Sequence, residues 1–205
     1  ITALVENTST CGLPSEHGLS LHIQMQDGQS ILFDMGQGEM FASNASILGI
    51  DLGKVGLTVL SHGHYDHGGG LSTFLKINDL AKIHVQRKAF EPHYSLRSSG
   101  LEYIGLDKSL ENSNRLVFCD GTVTPSDSLT IFGNVRGESF KPHGNRLLFG
   151  PSESSHDGFE HEQNLLISEN GIAVLIAGCA HSGIVNIINT ASELLGRAPD
   201  VVTGG

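Results

Sequence analysis

Residues 61–70 read SHGHYDHGGG, and between positions 62 and 67 they gather His62, His64, Asp66 and His67. Three imidazoles and a carboxylate at that density are the side chains that hold divalent metal, and packing alone gives no reason to collect them. The preceding Leu57-Thr58-Val59-Leu60 is a short apolar, β-prone run, so the cluster sits where a buried strand ends. Asp66 opens a Gly-rich stretch that leads into Leu71, Phe74 and Leu75, spaced like one face of a helix running to about Lys76. Strand, ligand-rich loop and helix form a rigid mount for a metal site.

The spacing also divides the ligands. His62 and His64 point to one side of an extended or looping chain, so two neutral imidazoles can share one ion. Asp66 and His67, a turn further on, can address a second. Imidazole nitrogen with carboxylate oxygen suits zinc, and less decisively iron or manganese. Two ions in such sites lie roughly 3.5–4 Å apart and hold a bridging water whose lowered pKa makes hydroxide available near neutrality. The rival reading is a solvated histidine tract, which does not explain strict alternation with an acid at a fixed place.

The string His62-x-His64-x-Asp66-His67 resembles the signature of the metallo-β-lactamase fold superfamily. More narrowly, the chain is similar to the branch containing 7,8-dihydropterin-6-ylmethyl-4-(β-D-ribofuranosyl)aminobenzene 5′-phosphate synthase. That likeness rests on LVENTST (4–10), EHGLSLHI (16–23), ILFDMGQG (31–38), NASILGIDL (44–52), LSHGHYDHGGGL (60–71) and GCAHSGIVNII (178–188), spread over nearly the whole chain. The resemblance implies a four-layer αβ/βα sandwich and a site at the shared edge of its sheets. It also implies that Asp34, in the first motif, orients the metal loop by hydrogen bonding rather than by touching metal. His64 stands where the related flavodiiron redox proteins place Glu, which tilts the site toward hydrolytic zinc chemistry.

Composition fits a single domain over 1–205: at 205 residues and 39% hydrophobic, the chain can bury one substantial core. A formal charge of −10 argues against nucleic acid as a routine partner, because phosphate neutralisation needs basic patches. Cys11, Cys119 and Cys179 are few, odd in number and unclustered, which points to a reducing compartment. No apolar run approaches the length of a membrane span and no secretory leader is visible, so the expectation is a cytoplasmic protein with a small-molecule substrate.

Along the chain, Leu19, Leu21, Ile23 and Met25 alternate with Ser20, His22, Gln24 and Gln26, which predicts a half-buried strand with a solvated His22. Asp27-Gly28 turns it into a second strand over 30–35. Residues 39–48 read as a short helix ended by Gly49, and a strand is expected near 82–86. The stretch 87–127 is mixed and loop-rich, 129–132 reads as a strand, and a polar segment of about thirty residues follows, long enough for a lid or binding loop. Strands over 164–168 and 172–177 are joined through Asn170-Gly171. Gly178-Cys179-Ala180-His181 then precedes a helix with Ser182 as its cap and Ile184, Val185, Ile187, Ile188, Ala191, Leu194 and Leu195 on one face, stopping at Gly196 before Pro199.

This second strand-loop-helix unit delivers His181, favoured as a metal ligand over a histidine bonded to backbone at a helix start. The wider superfamily ends the strand with a bridging Asp, and here Cys179 and His181 stand instead. Cys179 is read as a small buried hydrophobe rather than a thiolate ligand, while His161 and Glu162 are candidates to fill the vacancy. His17 either faces the site or caps a strand. Arg136, Lys141 and Arg146 are candidates to meet a substrate phosphate, with a solvated basic face as the equal alternative. His84, His93, His143 and His156 show no partner pattern. Asp200-Val201-Val202-Thr203 starts another buried strand ahead of Gly204-Gly205, where the family carries a further His ligand. The expectation is therefore that a C-terminal part lies beyond these residues.

The expected function is a metal-dependent hydrolase acting on a small, phosphate-containing metabolite through a metal-bound hydroxide. His62, His64, Asp66, His67 and His181 hold one or two ions, zinc first, and Asp66 is catalytic. A pterin-related synthase acting as a transferase is one alternative, and a non-catalytic metal-binding module is another.

Overall fold

A computed structural model describes residues 1–205. One mixed sheet has the strand order β1 (Thr2–Val5), β2 (Ser20–Gln24), β3 (Ser30–Phe33), β4 (Leu57–Val59), β5 (Lys82–Gln86) and β8 (Leu116–Cys119). A small sheet pairs β6 (Tyr94–Arg97) with β7 (Gly100–Tyr103) and with β11 (Leu148–Phe149). The second large sheet runs β14 (Val201–Gly204), β13 (Ile172–Ala177), β12 (Gln163–Glu169), β10 (Leu129–Gly133) and β9 (Thr122–Ser126). Four helices complete the chain: α1 (Met40–Ile47), α2 (Tyr65–Gly68), α3 (Leu71–Ile77) and α4 (Ile184–Leu195).

Period-two side-chain alternation builds the layers. Ile31 and Phe33 on β3 meet Ile131, Leu165 and Ile176 in the apolar layer between the large sheets. Leu32, between them, faces the opposite way into a layer with Phe41 and Phe74 of α1 and α3. On the far side, Phe132, Leu166 and Leu175 pack under Ile187 and Ala191 of α4. Helices, sheet, sheet and helix stack as the four-layer αβ/βα sandwich, an α/β fold as the sequence indicates.

Three local expectations are corrected. β2 is buried on both faces: Ser20 donates to the Asp34 carbonyl at 2.8 Å, and His22 is only 8% exposed with Nε2 2.8 Å from Ser30 Oγ. Polar residues on that face satisfy one another, so alternation of polarity does not mark a wet face. Ser182 is not the helix cap, because α4 begins one residue later behind Gly183 (φ 88°) and no side chain caps it. β14 pairs in parallel with β13 but leaves Val201 and Val202 substantially exposed, so it is not a buried strand. The Asn170-Gly171 hairpin has positive φ at both residues (52° and 80°), as a type I′ turn requires.

Candidate metal centre

β3 and β4 are parallel neighbours, so their C-terminal ends bring Asp34 and the His62–His67 loop to one edge. β13 ends at the same edge from the second sheet and delivers Cys179 and His181. The two units touch at Gly178, where a side chain would overlap Ser61 Oγ, so only glycine lets the loops close up.

One donor atom from each of His62, His64 and His181 lies within 4.8 Å of the others, and the same holds for His62, His67 and Cys179. Asp66 Oδ2 is 3.8 Å from His67 Nε2, which places the fifth expected ligand beside the second group. All five expected ligands are therefore brought together, every one of them buried.

Hydrogen bonding fixes which nitrogen of each ring is free. Asp34 is fully buried at φ 58° and accepts from Ser61 N (2.7 Å), Ser61 Oγ (2.7 Å) and His67 Nδ1 (2.6 Å). With its proton on Asp34, Ser61 Oγ accepts from His62 Nδ1 at 2.9 Å. Asn145 Oδ1 accepts from His181 Nδ1 at 2.9 Å, and its amide donates to the His181 carbonyl at 2.8 Å. His62, His67 and His181 thus present Nε2 lone pairs to the centre, each ring backed by an acceptor on its other nitrogen, the arrangement that metal-ligating histidines need. His62 Nε2 faces His64 Nδ1 at 3.1 Å, while His64 Nε2 and His181 Nε2 are buried with no protein partner. Leaving such an atom unsatisfied costs about 1–3 kcal/mol, and a cation shared by His62 Nε2, His64 Nδ1 and His181 Nε2 would satisfy the His181 nitrogen. The donor set fits a divalent metal.

Electrostatics divide the rings. Burial holds His62 and His64 well below the usual imidazole range, with neighbouring rings adding to the effect. Burial likewise lowers His181 to about 3. Burial also opposes charge on His67, but the Asp34 carboxylate outweighs it and raises that ring well above its ordinary value, so a cation at His67 Nε2 would take the place of a proton there.

Some readings change. Cys179 is not a buried hydrophobe: it is half-buried with Sγ 3.1 Å from His67 Nε2, as one of the three donors of the second group. Glu162 does not fill a ligand vacancy, because its carboxylate accepts from His181 N (2.6 Å) and Ser182 N (2.9 Å). His161 Nδ1 accepts from Gly63 N at 2.9 Å and its Nε2 lies 3.1 Å from Asp157 Oδ2. His93, which showed no pattern in the sequence, pairs with the same Asp157 oxygen at 2.8 Å. His17 faces the site, with Nε2 3.2 Å from Asp66 Oδ2. Arg136, Lys141 and Arg146 do not line the cavity of about 240 Å³ that reaches His64, Asp66 and His181, and Arg97 does. No periodicity or spacing marks Arg97, Asn145 or Asp157 in the sequence: Arg97 ends the short strand β6, and the long segment between β10 and β12 brings in the other two.

The sequence matches the family model described as metallo-beta-lactamase superfamily over residues 17–186. The chain belongs to the metallo-beta-lactamase superfamily. A solved structure described as Tm1679, a metal-dependent hydrolase of the beta-lactamase superfamily, is 30% identical with a TM-score of 0.81, covering 99% of this chain and 74% of that one. An uncharacterized protein of Methanocaldococcus jannaschii is 29% identical across 95% of this chain and 74% of its own length. The same organism's 7,8-dihydropterin-6-methyl-4-(beta-D-ribofuranosyl)-aminobenzene-5'-phosphate synthase is 25% identical across 89% of this chain and 67% of its own. No helix of this metallo-beta-lactamase family member is long and apolar enough to cross a membrane.

Proposed function

We propose that this chain is a metal-dependent hydrolase of a small, phosphate-containing metabolite. His62, His64 and His181 would hold one divalent cation, zinc first, and Asp66, His67 and Cys179 a second. The observation that carries the reading is the convergence of the His62, His67 and His181 Nε2 lone pairs, each locked by an acceptor on the opposite nitrogen. When bound, the cation supplies Lewis acidity to the substrate and lowers the pKa of coordinated water.

The chain's own residues supply orientation and a place for the substrate. Asp66 directs a carboxylate oxygen into the cavity, and His17 Nε2 meets it from the solvent side. Asn7 Oδ1 accepts from both Gly18 N and His17 Nδ1, which turns His17 Nε2 toward the Asp66 carboxylate. Arg97 lines the same cavity with Ser95 and Tyr65, which suits an anionic arm on the substrate. A cavity of about 240 Å³ takes part of a metabolite rather than a polymer.

The test is a panel of phosphomonoesters, phosphodiesters and lactones assayed with the zinc-loaded protein. Turnover that is lost in Asp66→Ala and His64→Ala proteins of unchanged circular dichroism supports the hydrolase. Turnover that survives both substitutions contradicts it. The likeness to a phosphate-bearing pterin synthase favours a second reading, a transferase that displaces a phosphate-type leaving group. Product analysis separates the two, because a transferase joins two organic substrates where a hydrolase adds water.

A further inference from the structure

We propose that His161-Glu162-Gln163 is a latch that sets the positions of both metal-bearing loops, with Asp157 fixing the tautomer on which it depends. The proposal rests on the metal-binding reading of the centre and adds residues that do not themselves touch the cation. His161 and Glu162 lead into β12, which Gln163 opens, and the three are 2%, 3% and 0% exposed.

Each residue ties a different part of the centre. Gly63, the residue between His62 and His64, donates its N–H to His161 Nδ1 at 2.9 Å. That nitrogen must carry a lone pair, so the ring proton sits on Nε2 and goes to Asp157 Oδ2 at 3.1 Å. Both nitrogens are then spoken for, which makes His161 a positioning residue and not a ligand. Glu162 accepts the backbone N–H groups of His181 and Ser182 and so fixes the loop from the other sheet. Gln163 donates through Nε2 to the carbonyls of Leu60 and His84, both at 2.9 Å, and through its backbone to Ser61 at 2.7 Å. Three consecutive residues therefore bond to the entry of the first loop, its middle, and the second loop.

Packing around Gly63 points the same way independently. A Cβ at Gly63 would overlap the Ala89 carbonyl oxygen and stand 2.9 Å from His93 Nε2. His93 is held by Asp157 through Nδ1 and by the Lys88 carbonyl through Nε2 at 3.2 Å. The peptide between the two histidines is gripped at its N–H by His161 and at its Cα by Ala89 and His93. Ligand orientation of this kind is worth roughly 10–100-fold in metal affinity.

Zinc affinity measured by competition with a chromophoric chelator tests the latch, with the metal-free thermal midpoint as control. His161→Leu removes the acceptor for Gly63, and His161→Asn restores it, since Asn Oδ1 stands where Nδ1 stood. The latch predicts zinc binding weakened at least about tenfold in His161→Leu and rescued to within about threefold of the parent in His161→Asn. Glu162→Gln, which keeps shape and one acceptor oxygen, carries the test if His161→Leu does not accumulate folded; it is expected to weaken zinc several-fold. Equal affinity of parent and His161→Leu, failure of His161→Asn to rescue, or parental affinity in Glu162→Gln overturns the latch. So does an extra zinc equivalent lost in His93→Ala, which would make His93, Asp157 and His161 a cation site of their own. A parent protein that binds no zinc at all overturns the metal reading beneath it, a result distinct from any of these.

Discussion

At Asp34 the backbone turns left-handed (φ 58°) and aims a fully buried carboxylate at Ser61 and His67. Through Ser61 it also sets the proton on His62, so one acid determines the free nitrogen on two proposed ligands. Asp34→Ala leaves three buried donors without an acceptor, and should destabilise the fold by about 3–5 kcal/mol in urea denaturation. A cost under about 1 kcal/mol would mean that water or another group replaces the carboxylate. Arg97 is the matching prediction at the cavity mouth. Its guanidinium is half-exposed, and its pairing with Glu102 runs through Nε at a long 4.0 Å, which leaves the terminal nitrogens for a substrate anion. Arg97→Ala should raise KM about tenfold for a phosphate-bearing substrate with kcat little changed, the signature of lost uniform binding. An equal effect on a neutral substrate would remove the anion argument.

Among the elements, the second strand-loop-helix unit depends on Gly178 to approach the first. Gly178→Val should cost about 1–3 kcal/mol by overpacking against Ser61 and pull Cys179 and His181 away from His62. A crystal structure of that variant showing the loops unmoved would refute the close-approach argument. The β12–β13 hairpin and α4 were legible in the sequence because Asn170-Gly171 and Gly196 impose backbone conformations that few residues adopt. The region from 87 to 127 was not legible, and the reason is physical. β6 pairs with β11, whose residues lie more than fifty positions away, and neither strand alternates over enough residues to announce itself. The metal loop could be read because its ligands are adjacent in sequence. Asn145, Asp157 and His93 support those ligands from loops whose approach depends on tertiary packing, so no local spacing records them.

Across the whole molecule, the sandwich holds a set of uncharged imidazoles in a buried place. Burial lowers His62, His64, His161 and His181 below the ordinary value of 6.5, the last of these to about 3. The unfolded chain takes up protons near pH 6.5 that the folded chain refuses, so metal-free stability falls as pH drops below that value. Each ring contributes up to about 1.4 kcal/mol per pH unit. His67 is raised instead, so its contribution is full below its unfolded pKa and fades only as pH climbs through its folded one, leaving the acid slope intact. Urea midpoints of metal-free protein should therefore fall steeply between pH 7 and pH 5, and a flat profile would show that the rings are solvated. The central claim is that this buried array exists to hold a cation. Its most direct measurement is the zinc retained after exhaustive dialysis, compared between the parent and a folded His62→Ala/His64→Ala protein. The account predicts one or two equivalents in the parent and their loss in the double variant; equal, negligible zinc in both would contradict it.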